Sequence, residues 1–202
     1  MLKAELRKRT RLVLGKIPQL ELEVQSYAIT THALQVVDSQ SPSGVCLFLA
    51  KADSEVQTSQ LIRTLLQRRI RVYVPFISGK QTMDFYQLFP EGEDVSKFPT
   101  DRWQIPVLPN LSDRIKATPK DMDLVFFPGA AFQLDSGNRL GQGMGFYDLY
   151  FAEYDAKRAA LGLARVTKIG LALNEMLVDH VPTEPHDVQM DGLITPSKVV
   201  YY

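Results

Sequence analysis

The sequence has one cysteine, no net charge and no long apolar run, and each scarcity excludes a class of function. Cys46 alone can form neither an intrachain disulfide nor a cysteine metal site, and in the apolar run VCLFLA it reads as a small buried hydrophobe. Lys+Arg and Asp+Glu stand at 23 each, so no global field draws the chain to nucleic acid or to an anionic membrane surface. Any anionic ligand must be held by local charge. No segment approaches the roughly 20 apolar residues of a membrane-spanning helix, and no signal-peptide core is read. The three histidines, His32, His180 and His186, share no metal-ligand spacing and are expected to be structural or exposed. Also missing are a Gly-Lys-Ser/Thr phosphate loop, a G-x-G-x-x-G turn, a G-x-S-x-G elbow and an H-E-x-x-H helix. What is present is a 202-residue chain, 45% hydrophobic and 23% charged, enough for one substantial core in a single domain spanning 1–202.

Punctuation along the chain alternates helix with strand. The run LELEVQSYAITTHALQVV spaces Leu20, Val24, Tyr27, Ala28, Thr31 and Leu34 at helical intervals, predicting a helix buried on that face. SPSG breaks it, and Val45 to Ala50 is continuously apolar, as in a strand covered on both faces. Ser54 is the expected N-cap of a following helix, and RVYVPF is a second strand. MDFYQL reads as an extra strand, FPTDRWQIPVLPN as a Pro-rich loop, and Asp123 to Phe132 as a strand stopping at Pro128-Gly129. A helix ending near Gly162, the strand KIGLAL and a terminal strand or hairpin DGLITPSKVVYY complete the pattern. The expected fold is α/β, a three-layer αβα arrangement around a largely parallel, Rossmann-like open sheet. Such sheets bind ligands at the carboxyl ends of their strands, which favours Ala50 to Glu55, Pro128 to Gly145 and the residues from Leu173 onward.

The second of these segments holds GNRLGQGMGFYD, with four glycines in twelve positions. Gly141, Gly143 and Gly145 alternate, so amide groups can turn toward a ligand, and the next helix aims its positive end there. Arg139 adds a bidentate cation, and Asp148, in the first helical turn, is within reach of a magnesium ion on phosphates. A glycine-rich turn that merely permits tight packing has the same spacing. The start, MLKAELRKRTRLVLGK, carries six basic residues and one acid, with Leu2, Leu6 and Val13 on one helical side. Lys3, Arg7 and Arg11 fall at i, i+4 and i+8; that suits an anion-facing helix, and an Arg-rich amphipathic start also suits an organelle transit segment.

FFPGAAFQLDSGNRLGQGMGFYDLYF resembles the signature of the 5-formyltetrahydrofolate cyclo-ligase family, PG-x-x-F, a spacer, then G-x-R-x-G-x-G-x-G-Y-Y-D. KAELR, FLAKADSEVQT, MDF, WQIP and PHDVQMDGLIT match further family segments in order along nearly the whole chain. The resemblance implies an ATP- and magnesium-dependent ligase that closes 5-formyltetrahydrofolate to 5,10-methenyltetrahydrofolate, releasing ADP and phosphate. Carried over by position, Lys3, Arg7, Arg139, Leu140, Gly141, Gln142, Gly143, Met144, Gly145, Phe146 and Tyr147 would hold ATP, with Arg139 the catalytic cation. Leu49, Glu55, Met83, Trp103, Gln142 and Phe146 would line the folate site, and Asp148 and Asp187 would ligate magnesium. Each has a plainer account: Met83 and Trp103 as core, Glu55 in a first helical turn, Asp187 in a surface turn.

The chain departs from the family pattern at Gln142 and Met144, where basic side chains are common, and at Phe146, where tyrosine is usual. Losing one charge-assisted phosphate contact costs about 1.5–3 kcal/mol, roughly 10- to 150-fold in affinity. A folate- or nucleotide-binding pseudoenzyme is therefore the first alternative, and a sugar-phosphate isomerase or CoA-transferase on a similar sheet the second. The expected partners are ATP and 5-formyltetrahydrofolate, including polyglutamylated forms, taken by a monomer without nucleic acid or membrane. The expected location is cytoplasmic, or mitochondrial if the basic start is a targeting segment.

Overall fold

Short apolar runs separated by helices give the expected sheet, because a strand whose two faces are both covered needs no polar alternation. The structure, a computed structural model, describes residues 2–89 and 93–202. In chain order its elements are α1 (Lys3–Leu14), α2 (Gln19–Gln40), β1 (Gly44–Cys46), α3 (Ser59–Gln67), β2 (Arg71–Ile77) and β3 (Met83–Gln87). They continue as β4 (Leu124–Phe127), β5 (Ala131–Gln133), β6 (Arg139–Leu140), α4 (Phe146–Ala160), β7 (Thr167–Leu171), β8 (Leu177–Val178), β9 (Gly192–Ile194) and β10 (Val199–Tyr201). The main sheet has the order β10-β9-β7-β4-β1-β2-β3, its five inner strands parallel and both edges closed by antiparallel hairpin partners. A second sheet, β6-β5-β8, sits beyond the end of β4.

Alternate residues of β4 divide the core. Leu124 and Phe126 join the cluster built with α2 and α3, whereas Val125 and Phe127 join the one built with Phe151 and Tyr154 of α4. Three layers result, and α1 packs through Leu6 against Ala130, Ala131 and Leu140 of the small sheet. From β1 the chain runs to β2 on one side and later returns to β4 on the other, so the order reverses between β1 and β4. A crevice opens at the carboxyl ends of strands at such a reversal.

Four expectations need correction. The buried face of α2 is not Leu20, Val24 and Tyr27, which are exposed, but Leu22, Ile29, Ala33, Val36 and Val37 together with Gln25, Ser26 and Thr30. Polar residues can occupy that face because their hydrogen bonds are met: Gln25 Oε1 accepts from the Asn174 amide at 2.9 Å, and Ser26 Oγ from the Gln57 amide at 2.9 Å. On α1 the inward residues are Leu6, Thr10 and Leu14, while Leu2 and Val13 face solvent. Strand β1 ends at Cys46; Leu47, Phe48 and Leu49 remain buried while the chain turns into a loop. Helix α3 begins at Ser59, because the Ser54 hydroxyl bonds the Asp53 carboxylate rather than a helix amide.

Candidate functional site

The glycine turn lies where α1, β6 and α4 meet. Leu140 is buried beside Leu6, which brings α1 alongside, and Arg7 Nε donates to the Gly141 carbonyl at 2.8 Å. Gly143 has φ +111°, a conformation side chains rarely adopt, and a Cβ there would stand 3.4 Å from Arg7 Cζ. Gly145, at φ +69°, is the N-cap of α4, and no side chain caps that end. The free amides of the first α4 turn and the helix dipole together present positive potential. Gln142, Gly143 and Met144 are exposed in front of it. Leu140, expected among the ATP-binding backbone, is already committed: its side chain is core and its carbonyl accepts from Ala130 at 2.7 Å.

Arg139 is buried, its side chain only 3% exposed. Nη1 donates to the Pro128 carbonyl at 3.1 Å, Nη2 to Asp148 Oδ1 at 2.8 Å, and the guanidinium lies 5.1 Å from the Phe127 ring centre. Its Nε is one of two buried side-chain polar atoms without a partner among the described residues; the other is the Tyr147 hydroxyl. Asp148 Oδ1 also accepts from the Val188 amide at 3.0 Å. This one Asp148 oxygen ties Arg139 to the segment that follows Asp187.

Lys3 Nζ reaches Asp187 Oδ2 at 2.6 Å and Glu184 Oε2 at 2.7 Å. Partial burial works against its charge, but the two carboxylates outweigh that and hold the ammonium above its ordinary value. Burial likewise opposes ionisation of Asp187, yet bonds from Lys3 and from the Glu184 amide keep its carboxyl below the usual range. Glu184, His186 and Asp187 offer ligand atoms within 4.8 Å of one another, the group of this kind among the described residues. A polar cavity of about 200 Å³ joins Arg139 to Glu184 and Asp187. A larger hollow of about 450 Å³, between Leu66, Arg69 and Gln87, opens at the opposite end of β2 and takes no part.

Across the crevice the loop after β1 carries Glu55. Burial pushes its carboxyl up, opposed by the Lys51 amide, which donates to Oε2 at 2.8 Å, by the Lys51 charge and by the Gln142 amide of the glycine turn. Burial also pushes the Tyr147 hydroxyl well up, with the Glu55 charge adding to the effect and Arg139 opposing it. The Tyr147 ring packs on Phe85, Phe127 and Phe151 and touches both core clusters, which places it at the rim where the two faces of the sheet meet. Phe146 packs against the α4-side cluster.

The structure thus brings together Lys3, Arg7, Arg139, Gly141 to Asp148, Asp187 and Glu55. It does not bring the remaining folate-side residues to them as free walls. Leu49 (4% exposed) and Met83 (6%) are core residues in clusters on opposite faces of the sheet, because each continues an inward strand position. Trp103 is 56% exposed on the Pro-rich loop, with Arg102 stacked 3.9 Å above its ring. Sequence reasoning missed Glu184 and Gln57. Glu184 had a signal in its three-residue spacing from Asp187, which a turn brings together; Gln57 had none.

An open, largely parallel sheet with a cation-flanked glycine turn beside a cavity lined by Arg139, Glu184 and Asp187 defines an α/β protein with one polar crevice. Comparison narrows the class to one family. The profile of the 5-formyltetrahydrofolate cyclo-ligase family matches residues 1–196, and the chain belongs to that family of ligases. An Escherichia coli strain K12 protein named 5-formyltetrahydrofolate cyclo-ligase is 30% identical over 157 residues, covering 77% of this chain and 79% of its own. An Arabidopsis thaliana protein named 5-formyltetrahydrofolate cyclo-ligase, mitochondrial, is 28% identical over 187 residues, covering 87% and 67%. The solved Aquifex aeolicus 5,10-methenyltetrahydrofolate synthetase superposes with a TM-score of 0.75 at 23% identity, covering 100% of this chain and 93% of that one, and shares its fold. No helix among the described residues is long and apolar enough to cross a membrane.

Proposed function

We propose that the chain closes 5-formyltetrahydrofolate to 5,10-methenyltetrahydrofolate at the expense of ATP, with the triphosphate over the glycine turn and the pterin against Glu55. A formamide oxygen is a poor leaving group. Transfer of the terminal phosphoryl group of ATP to that oxygen gives ADP and an activated carbon. N10 then attacks the carbon, loses its proton, and the C–O bond breaks with departure of phosphate. No protein nucleophile is needed, so catalysis reduces to positioning and charge neutralisation.

The observation that carries this reading is the Arg7 bond to the Gly141 carbonyl, which joins the basic helix to a turn 134 residues away and leaves amides and cations around one space. Arg139, pinned by Asp148 and Pro128, has an unpartnered Nε to offer, and Tyr147 an unpartnered hydroxyl. Both suit a polar ligand. Asp187 and Glu184 supply hard oxygen donors close enough to share one ion, which fits magnesium; Asp148 would join them directly or through a water. Bound there, magnesium would neutralise charge on the phosphates. Lys3 bridges the two acids, and its ammonium would add positive charge beside phosphates held there. Glu55, ionised, accepts from the N–H edge of the pterin.

The test is direct. Purified protein with ATP, magnesium and 5-formyltetrahydrofolate should develop the methenyl absorbance with stoichiometric phosphate. ATP binding without turnover would favour a pseudoenzyme, and turnover of a sugar phosphate or CoA ester without ATP would replace the reading altogether.

A further inference from the structure

Glu55 lies on a loop that ought to be loose, since Lys51 to Gln57 belongs to neither strand nor helix and Ala52 and Asp53 are exposed. It is instead closed on itself through one side chain. Gln57 Nε2 donates to the Lys51 carbonyl at 2.9 Å and to the Glu55 carbonyl at 2.7 Å, bracketing both ends of the turn. The Lys51 amide in turn holds Glu55 Oε2. Gln57 is itself fixed from outside: its amide donates to Ser26 Oγ, on the buried face of α2, where Ser26 is 4% exposed. Next to it, Thr58 Oγ1 donates to the Phe48 carbonyl at 2.8 Å and closes the loop onto the strand side.

We infer that Gln57, anchored by Ser26, is a positioning residue that fixes the Glu55 carboxylate toward Gln142 and so sets the affinity for the folate, but not for the nucleotide. The inference rests on the assignment of Glu55 to the folate side in the proposed function. Its physical basis is that a carboxylate on an unpinned loop must lose conformational freedom on each binding event, whereas here that cost is met in folding. A glutamine is required rather than any spacer, because both amide hydrogens are spent on carbonyls and a carboxylate in that place would repel them.

Steady-state kinetics on the full chain test it. Wild-type turnover of 5-formyltetrahydrofolate comes first; if there is none, the proposed function and this inference fall together. With turnover in hand, Gln57→Ala, which removes two hydrogen bonds, should raise the KM for 5-formyltetrahydrofolate about 5- to 30-fold. The KM for ATP should stay within about twofold, below what one ordinary hydrogen bond is worth. Ser26→Ala should do the same more weakly, and Ser26→Thr, which keeps the hydroxyl, should restore the wild-type value. Because Glu55 is titratable, the acid limb of the folate KM should shift in Gln57→Ala, which a purely structural defect would not cause. If Gln57→Ala does not fold, Ser26→Ala decides alone. Equal changes in both KM values, or none, in a folded variant would overturn the inference while leaving the cyclo-ligase reading standing.

Discussion

Removing the Asp148 carboxylate should cost both stability and rate, and the structure sets the scale. Asp148 is 14% exposed and its partner Arg139 3%, so Asp148→Ala leaves a desolvated guanidinium beside only the Pro128 carbonyl and the Phe127 ring. Truncating one partner of a buried ion pair costs about 3–5 kcal/mol. The residual exposure of Asp148 and the surviving Pro128 bond argue for the lower end, about 3 kcal/mol. For a chain of this length that corresponds to a fall of roughly 6–12 °C in Tm. Asp148→Asn keeps an oxygen for Arg139 and for the Val188 amide and loses only charge, so its cost should be roughly half. Urea melts of wild type, Asp148→Ala, Arg139→Met and the double variant close a cycle in which the double variant should be less destabilised than the sum of the singles. Additive losses, or an Asp148→Ala within about 0.5 kcal/mol of wild type, would refute the view that this acid anchors the arginine.

Other consequences are read on the same protein. Glu55 is pushed up by burial, so between the ordinary glutamate midpoint and its raised one the folded chain holds a proton that the unfolded chain has lost. Stability should therefore fall as pH rises through that window, and Glu55→Gln should flatten the dependence in urea melts. Folate affinity should move the opposite way, weakening as pH falls through the same window, and Glu55→Gln should abolish that limb in KM measurements. Gly143→Ala, at φ +111° and in contact with Arg7, should raise the KM for ATP at least tenfold, with isothermal titration showing the lost nucleotide affinity. Met144→Lys places a cation on an exposed stretch of the turn; an exposed ionic contact adds at most about 1 kcal/mol, or fivefold in ATP affinity at low salt, and the gain should vanish at high salt.

Much of the fold was legible because parallel strands announce themselves: VFF in β4 and IGL in β7 are buried on both faces and nothing polar interrupts them. The face of α2 was not, and the reason is specific. Periodicity assumes that glutamine and serine point outward, but Gln25 and Ser26 find partners in Asn174 and Gln57, residues brought to them only by the tertiary fold. Leu20, Val24 and Tyr27 were left on the outside in consequence. At the site, the glycine alternation and the four-residue step from Lys3 to Arg7 could be read directly, since each is local. That Asp148 holds Arg139 could not, because it depends on where the β4–β5 turn places the Pro128 carbonyl.

Trp103 is the sole indole of the chain, and it stands in the open on the Pro-rich loop beneath the Arg102 guanidinium. Excitation selective for tryptophan will therefore see that loop and nothing else. A pterin laid against the ring would quench it and shift its emission to the blue, so a folate titration reads, without any label, whether a ligand reaches a loop that stands apart from the glycine turn.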